Sequence, residues 1–435
     1  MNPELLVREL RDFRLDRRRQ ATLFEESSDG GGARGATTAP EQGTLDFGGR
    51  SIPLITNEFW SRRQRQSHSL HELSYRACFK GELPRFFIER LTKPGDVVLD
   101  PFMGRGTTCL EAALLGRIPF GNDVNPLSRV LLEPRLRPPS LEAIRERLDS
   151  IGLERVFEEA RSGRHQSRSV DENLEVFFHP GTLAQLRVLQ ERLVHDGADP
   201  IDHWIRMVAT NRLTGHSPGF FSVRTMPPNQ AVRVESQRRL NDKHGLEPPL
   251  RDVREIIQRK SASLLRDHDS KTESLLDGVR DRARFLTKDA RDLRGVDDRS
   301  VRLVVTSPPF IDIVDYAGDN WLRCWFNGID AEQASESITT PRKIEAWQEF
   351  VTDVFRELER CLVPGGWIVF EVGEVRNGTI RLEEHVVPAA IDAGLDVVAI
   401  AVHSQEFTKT ANCWGVANNS KGTNSNRLVI LRRGT

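Results

Sequence analysis

Residues 94–123 read PGDVVLDPFMGRGTTCLEAALLGRIPFGND. Pro94-Gly95 makes a turn, VVLD a short apolar strand, and TTCLEAALL a helix that Gly116 closes before a second strand, IPFGND. Strand, turn, helix and strand in so short a stretch predict one βαβ unit of a parallel sheet. The turn itself, Asp100-Pro-Phe-Met-Gly-Arg-Gly-Thr-Thr108, carries Gly104 and Gly106, which let the backbone bend tightly and approach a ligand. The helix that follows offers free N–H groups and a positive dipole end. Asp123 closes the second strand, where an acid can accept both ribose hydroxyls of a nucleoside cofactor. The spacing fits neither G-x-G-x-x-G nor G-x-x-x-x-G-K-[ST], so a dinucleotide or a triphosphate is not the first choice.

Outward from this unit, LPRFFIERL (83–91) has helical apolar spacing. Downstream, SLEAIRERLDSI, TLAQLRVLQERL, DHWIRMVATNRL and LRDVREIIQRKSASLL also read as helices, the first two starting at Ser and Thr caps. Strands resume at ARFLT (283–287) and VRLVVTS (301–307). GGWIVFEVG (365–373), LDVVAIAV (395–402) and NRLVILRR (426–433) follow, with helices over 344–362 and 381–394 between them. The pattern predicts an α/β fold whose sheet is interrupted by a mainly helical insertion. Four segments are expected: a basic N-terminal helix and flexible linker over 1–50, a first sheet portion over 51–130, the insertion over 131–280, and a second sheet portion over 281–435. The linker reading rests on residues 27–50, rich in Gly, Ala, Thr and Ser, which cannot bury enough surface to hold a core.

The second chemical signal is Thr306-Ser-Pro-Pro-Phe310, at the end of the strand VRLVV. Two prolines remove two N–H donors, so nearby carbonyls stand as acceptors, and the Phe310 ring can stack on a planar base. Acceptors beside a ring suit an exocyclic amine; taken alone, the same tetrapeptide also makes a rigid turn.

Composition bounds the function without choosing it. The 435 residues, taken at roughly 150 per domain, allow two or three domains. Mean hydropathy is −0.45 and no apolar run reaches the ~18 residues of a membrane helix. The first twenty residues hold no apolar segment of a secretory signal. Five scattered cysteines, with no C-x-x-C, exclude a disulfide scaffold and the usual zinc modules, so a reduced cytoplasmic compartment and no metal are expected. Net charge is −1, which does not announce a nucleic-acid binder, although 53 of the 62 basic residues are Arg. Arg suits phosphates and base edges, but a GC-rich genome would favour it equally.

DPFMGRGTT with GNDVNP and TSPPF resembles the S-adenosylmethionine-dependent amino-methyltransferases of DNA, which modify N4 of cytosine or N6 of adenine. The resemblance covers roughly 75–130 and 283–433. It implies a Rossmann-like seven-stranded methyltransferase sheet, S-adenosyl-L-methionine as cofactor, and double-stranded DNA as partner, in host modification or restriction protection. By that likeness Asp100, Phe102, Gly104, Gly106, Thr107 and Thr108 border the cofactor's methionine part. Asp123, with Asn125 in the same motif, meets the ribose, Asp289 meets the adenine, and Phe79 lies beside the methionine. Ser307, Pro308, Pro309 and Phe310 match the catalytic tetrapeptide. Serine at its first position resembles the cytosine-N4 type, and Asp there the adenine-N6 type. An RNA base methyltransferase, or a non-catalytic methyltransferase-like module of a defence complex, are the competing readings. A cognate restriction endonuclease is a further partner that the likeness allows.

Three further segments stand out. TNRLTGHSPGFFSVRTMPPNQAVRVESQRR (210–239) reads as a loop that either faces DNA or packs through Phe220 and Phe221, with His216 a structural histidine. The stretch 408–426 should border the pocket, with Trp414 as a base-stacking or anchoring residue. Gln20-Ala-Thr-Leu-Phe24 and Gln42-Gly-Thr-Leu-Asp-Phe47 look like short peptides that dock on sliding clamps.

Overall fold

The computed structural model describes residues 1–14, 41–60, 67–75, 78–164, 172–194, 199–226, 232–309, 316–333, 341, 343–375, 379–404 and 425–435. Phe310, Trp414 and the 20–24 peptide lie outside the described residues. The chain opens with helix α1 (Pro3–Asp12) and an antiparallel hairpin, β1 (Glu41–Phe47) and β2 (Arg50–Asn57). Helix α2 (Glu82–Leu91) leads into β3 (Val97–Asp100), α3 (Thr107–Leu114) and β4 (Ile118–Asn122), the expected βαβ unit. The insertion carries α4 (Leu127–Leu132), α5 (Leu141–Ile151), α6 (Leu153–Arg161), α7 (Pro180–Val194), α8 (Pro200–Arg212), α9 (Val234–His244), α10 (Val253–Leu264) and α11 (Ser270–Arg280). The sheet then resumes through β5 (Arg284–Leu286), β6 (Val301–Thr306), α12 (Tyr316–Asn327), α13 (Ile344–Cys361) and β7 (Leu362–Val372). A two-residue ribbon, β8 (Glu374–Val375) with β9 (Ile380–Arg381), precedes α14 (Glu383–Asp392), β10 (Leu395–Ser404) and β11 (Ser425–Arg433).

Among the described residues the main sheet has nine strands in the order β1-β2-β10-β11-β7-β6-β3-β4-β5. Its stretch from β7 through β6, β3 and β4 to β5 is parallel, while β11 runs antiparallel to both β7 and β10. The seven strands expected from the sequence are all present, in one α/β sheet of Rossmann-like type. Two expectations need correction. Among the described residues the sheet has nine strands rather than seven, because β1 and β2 add to its edge beside β10. Glu41–Phe47, expected as linker, is a strand: backbone pairing with β2 needs few large side chains, so composition hid it. This also takes up the 42–47 peptide.

Each face of the sheet has its own core. Trp347, Phe355 and Phe370 centre one face; Phe87, Val98, Leu303 and Trp367 centre the other. Leu6 and Leu10 of α1 are fully buried on that second face, so the N-terminal helix is a packed element. Helices of the insertion share one hydrophobic cluster with the helix after the glycine turn: Leu110 and Ala113 of α3 join Leu186, Trp204 and Ile257. That shared packing seats the insertion on the same side as the glycine turn.

Candidate active site

The turn after β3 is shaped by its glycines. Gly104 and Gly106 have φ of 49° and 79°, in the left-handed region that side chains resist. Gly106 also touches its neighbour: a Cβ there would sit 2.7–2.9 Å from the Leu132 side chain. The turn therefore delivers the N-terminus of α3 to the carboxyl edge of the sheet, as the spacing predicted.

Asp123 stands half-buried at the end of β4 and does two jobs with its carboxylate. Oδ2 accepts the Gly104 N–H at 2.8 Å, and Oδ1 accepts the Asn125 N–H at 2.9 Å. Burial pushes its pKa up, and these amides, with Ser128, pull it back. A carboxylate has about four lone-pair positions, so after these three contacts one remains for a hydroxyl donor. Asn125 turns its own Oδ1 to the Leu127 N–H at 3.0 Å and caps the start of α4. Beside it, buried Asn122 ties three strand ends together, donating to the carbonyls of Pro101 and Lys288 and accepting the Lys288 N–H.

Asp100 points inward and is 1% exposed. It accepts from Thr306 Oγ1 at 2.6 Å and from the Phe102 N–H at 3.1 Å. Burial raises its pKa to about 7, against the pull of those bonds and of Thr108. Thr108 Oγ1 in turn donates to the Val305 carbonyl at 3.0 Å. The glycine turn and the Ser307-Pro308-Pro309 end of β6 are thus joined twice, on strands that pair in parallel through Leu99 and Val304.

Other expected residues fall in different places. The Thr107 hydroxyl accepts from Arg105 Nε, whose guanidinium also reaches the carbonyls of Leu73 and Phe79. Phe79 packs its ring on the second-face core, and Phe102 packs its ring on the first, 6.0 Å from Phe350. Asp289 is gripped by Arg291, with Nη2 and Nε at 2.7 and 3.0 Å, which holds its carboxyl below the usual range. Phe220 and Phe221 are both buried, 5% and 0% exposed, so the 210–226 loop packs through them.

The tetrapeptide end has a partner that no motif announced. The Ser307 hydroxyl hydrogen-bonds the side chain of Glu371, which Asn426 Nδ2 also reaches at 2.5 Å. Glu371 is buried near the end of β7, one residue past the Thr306–Phe370 pair of the β6–β7 ladder. Burial raises its pKa, and the Ser307 and Asn426 bonds oppose that rise. The Pro309 carbonyl accepts from Trp347 Nε1 at 3.0 Å, which anchors the Pro-Pro turn to α13. A lone glutamate in GGWIVFEVG gives no chemical signal until register places it beside Ser307.

Residues 53–154 match the family model described as DNA methylase. The type II methyltransferase M.BsoBI of Geobacillus stearothermophilus is 38% identical over 77 residues, 17% of this chain and 15% of that protein. M1.MboII of Moraxella bovis is 35% identical over 96 residues, 20% of this chain and 37% of the other. M.MjaII of Methanocaldococcus jannaschii is 25% identical over 116 residues, 26% and 22% of the two chains. The matches therefore span 15–37% of the length of these curated relatives. Among solved structures, TrmN from Thermus thermophilus overlaps 84% of this chain and 51% of its own at 13% identity and TM-score 0.32. Geranyl diphosphate C-methyltransferase from Streptomyces coelicolor A3(2) overlaps 81% and 78% at 10% identity and TM-score 0.33. Over residues 53–154, the stretch that holds β3, the glycine turn and β4, the chain is thus similar to DNA methylases.

Proposed function

We propose that this protein transfers a methyl group from S-adenosylmethionine to an exocyclic amino group of a base in double-stranded DNA, with cytosine N4 as the target. The observation that carries the reading is the double hydrogen-bond link, Thr306 to Asp100 and Thr108 to the Val305 carbonyl. It sets the Ser-Pro-Pro end of β6 directly beside the glycine turn of β3. Serine rather than an acid at 307, backed by a buried glutamate, favours cytosine over adenine.

The turn fits such a cofactor. Gly104 and Gly106 form a cradle whose φ values and close packing exclude side chains, and the first turn of α3 adds N–H donors. Asp123 keeps acceptor capacity for a ribose hydroxyl. When bound there, S-adenosylmethionine supplies a methyl group activated on a sulfonium.

The remaining work belongs to the chain. An amine conjugated to a pyrimidine ring is a poor nucleophile, because its lone pair is delocalised into the ring. Ser307 donates its hydroxyl hydrogen to Glu371, which leaves its own lone pairs to accept an N–H of the amine. That bond favours a pyramidal nitrogen and stabilises positive charge as it develops there. Trp347 fixes the Pro309 carbonyl, so the turn carries its acceptors without rearranging. Alignment of nitrogen with the methyl group supplies much of the rate, up to roughly 7–11 kcal/mol in favourable cases. A paired base is out of reach of this edge, so the target must be flipped at a cost of a few kcal/mol.

Incubation with labelled S-adenosylmethionine and mixed genomic DNA, followed by nucleoside mass spectrometry, tests the reading. Label in N4-methylcytosine, formed far more slowly with Ser307→Ala, is the expected result. Label in N6-methyladenine would reassign the base. A protein that binds the cofactor yet labels RNA alone, or nothing, would sink the proposal.

A further inference from the structure

The arginine between the two glycines of the turn reaches out of it. Arg105 directs its guanidinium to the segment that precedes α2. Nη1 donates to the Leu73 carbonyl at 2.6 Å and to the His71 carbonyl at 3.3 Å, and Nη2 to the Phe79 carbonyl at 3.5 Å. Nε meets Thr107 Oγ1 at 3.2 Å, at the start of α3. The Arg105 carbonyl is itself held by Nη2 of the fully buried Arg135, whose Nη1 takes the Leu70 carbonyl at 3.2 Å. All but one of these bonds end on main-chain carbonyls, so the two guanidiniums fix backbone positions rather than balance charge.

The residue placed by these bonds is Tyr75, which the Leu73 and Phe79 carbonyls bracket in the chain. Its ring lies against the turn, with Cε1 3.7 Å from where a Cβ on Gly104 would stand. The same Gly104 gives its N–H to Asp123, so ring and carboxylate meet at one residue. Tyr75 is half-buried, which leaves part of its surface open. From the insertion and from α12, Asn211 Nδ2 and Arg323 Nη2 donate to the Ser74 carbonyl at 2.9 and 3.1 Å. The Arg323 guanidinium also stands 5.5 Å from the Tyr75 ring centre. Phe79, expected beside the methionine part of the cofactor, packs its ring on the second-face core instead.

The base of the segment is anchored without Arg105. Leu70 and Leu73 are buried in the cluster that includes Leu110 of α3. The Glu111 carboxylate, also on α3, meets His71 Nε2 at 2.7 Å and Arg85 Nε at 2.5 Å. Beyond that base, Arg105 ties the carbonyls on either side of the tyrosine to the turn. We propose that Tyr75 is a wall of the cofactor site and that Arg105 is the positioning residue that holds it against Gly104. This rests on the S-adenosylmethionine reading above and deepens it. A ring beside a bare glycine offers apolar surface to the methylene chain of the cofactor's methionine part and takes that chain out of water.

Calorimetry of S-adenosylmethionine with the full chain tests the pair. Tyr75→Ala should weaken affinity roughly tenfold, through loss of the apolar wall, and Tyr75→Phe should keep it. Arg105→Met should weaken affinity several-fold while the melting temperature of the unliganded chain moves little, because the base of the segment stays anchored. Arg105→Gln gives the same readout if the Met variant does not fold. Because Arg105 acts through the ring, the double variant should bind no more weakly than Tyr75→Ala alone. In turnover, the loss should fall on KM for the cofactor more than on kcat. Wild-type affinity in Tyr75→Ala would overturn the wall, and additive losses in the double variant would overturn the positioning role. Wild-type protein that binds no S-adenosylmethionine would count against the cofactor reading itself, before either residue is altered.

Discussion

The carboxyl edge of the sheet is held together in two different ways. On the β3–β4 side, main-chain amides do much of the work: Gly104, Asn125 and Phe102 donate to Asp123 and Asp100. On the β6–β7–β11 side, the Ser307 hydroxyl, the Glu371 carboxyl and the Asn426 amide hold one another through side chains alone. The first arrangement is local, since every donor lies within about twenty residues of its acceptor. The second joins three strands far apart in the chain. An edge set by backbone tolerates side-chain change so long as the glycines remain; an edge set by one buried carboxyl depends on that residue.

The largest expected effect tests a side-chain contact that crosses between the two halves, Thr306 to Asp100. Burial raises the Asp100 pKa to about 7 in the folded protein, from the ordinary 3.8 of the unfolded chain. Between those values the native state holds a proton that the unfolded chain has lost. Stability therefore falls as pH rises through that window and levels off above it. Asp100→Asn removes the titration while keeping an acceptor for Thr306. Its stability relative to wild type should rise by up to about 4 kcal/mol from pH 4 to pH 8, read from denaturant midpoints. A constant difference across that range would mean that the Asp100 carboxyl is ionised in the folded protein.

Next in size is the side-chain half. Ser307→Ala and Glu371→Gln should each lower kcat by roughly 10²-fold, with KM for the cofactor near wild type. Because one residue acts through the other, the double variant should be little worse than either single one. Fully additive losses would separate Glu371 from Ser307 and leave the glutamate a packing residue.

The smallest effect belongs to the backbone half. Asp123→Ala should weaken cofactor binding by roughly 1.5–3 kcal/mol, the worth of hydrogen bonds to a charged group. Because the glycines still define the turn, the melting temperature should move little. Unchanged affinity in calorimetry would remove Asp123 from the site. A large drop in melting temperature instead would show that its bonds to Gly104 and Asn125, rather than the glycines, hold the turn.

Much of this was legible before the structure. Gly104, Gly106 and Asp123 could be placed because turn, strand end and helix start are local events, written in adjacent residues. The alternation of seven apolar strands with helices carried the fold class, and Ser307-Pro-Pro declared itself by proline chemistry. The hairpin over 41–57 was missed, because a strand held by main-chain pairing needs no apolar pattern of its own. Phe220 and Phe221 had two open readings, and burial decided for packing.

By itself the sequence determined a parallel βαβ unit with a glycine turn, an acid at the next strand end, and a Ser-Pro-Pro turn on a later strand. Only the tertiary structure decided that those turns sit side by side, that Glu371 and Asn426 complete the second, and that Arg105 and Arg323 meet the segment that carries Tyr75. The physical reason is range. Backbone torsions and hydrophobic period act over a few residues and leave their mark in order along the chain. A buried carboxyl or guanidinium takes its chemistry from whatever strand register and helix packing set beside it, and those neighbours lie from about fifty to more than two hundred residues away.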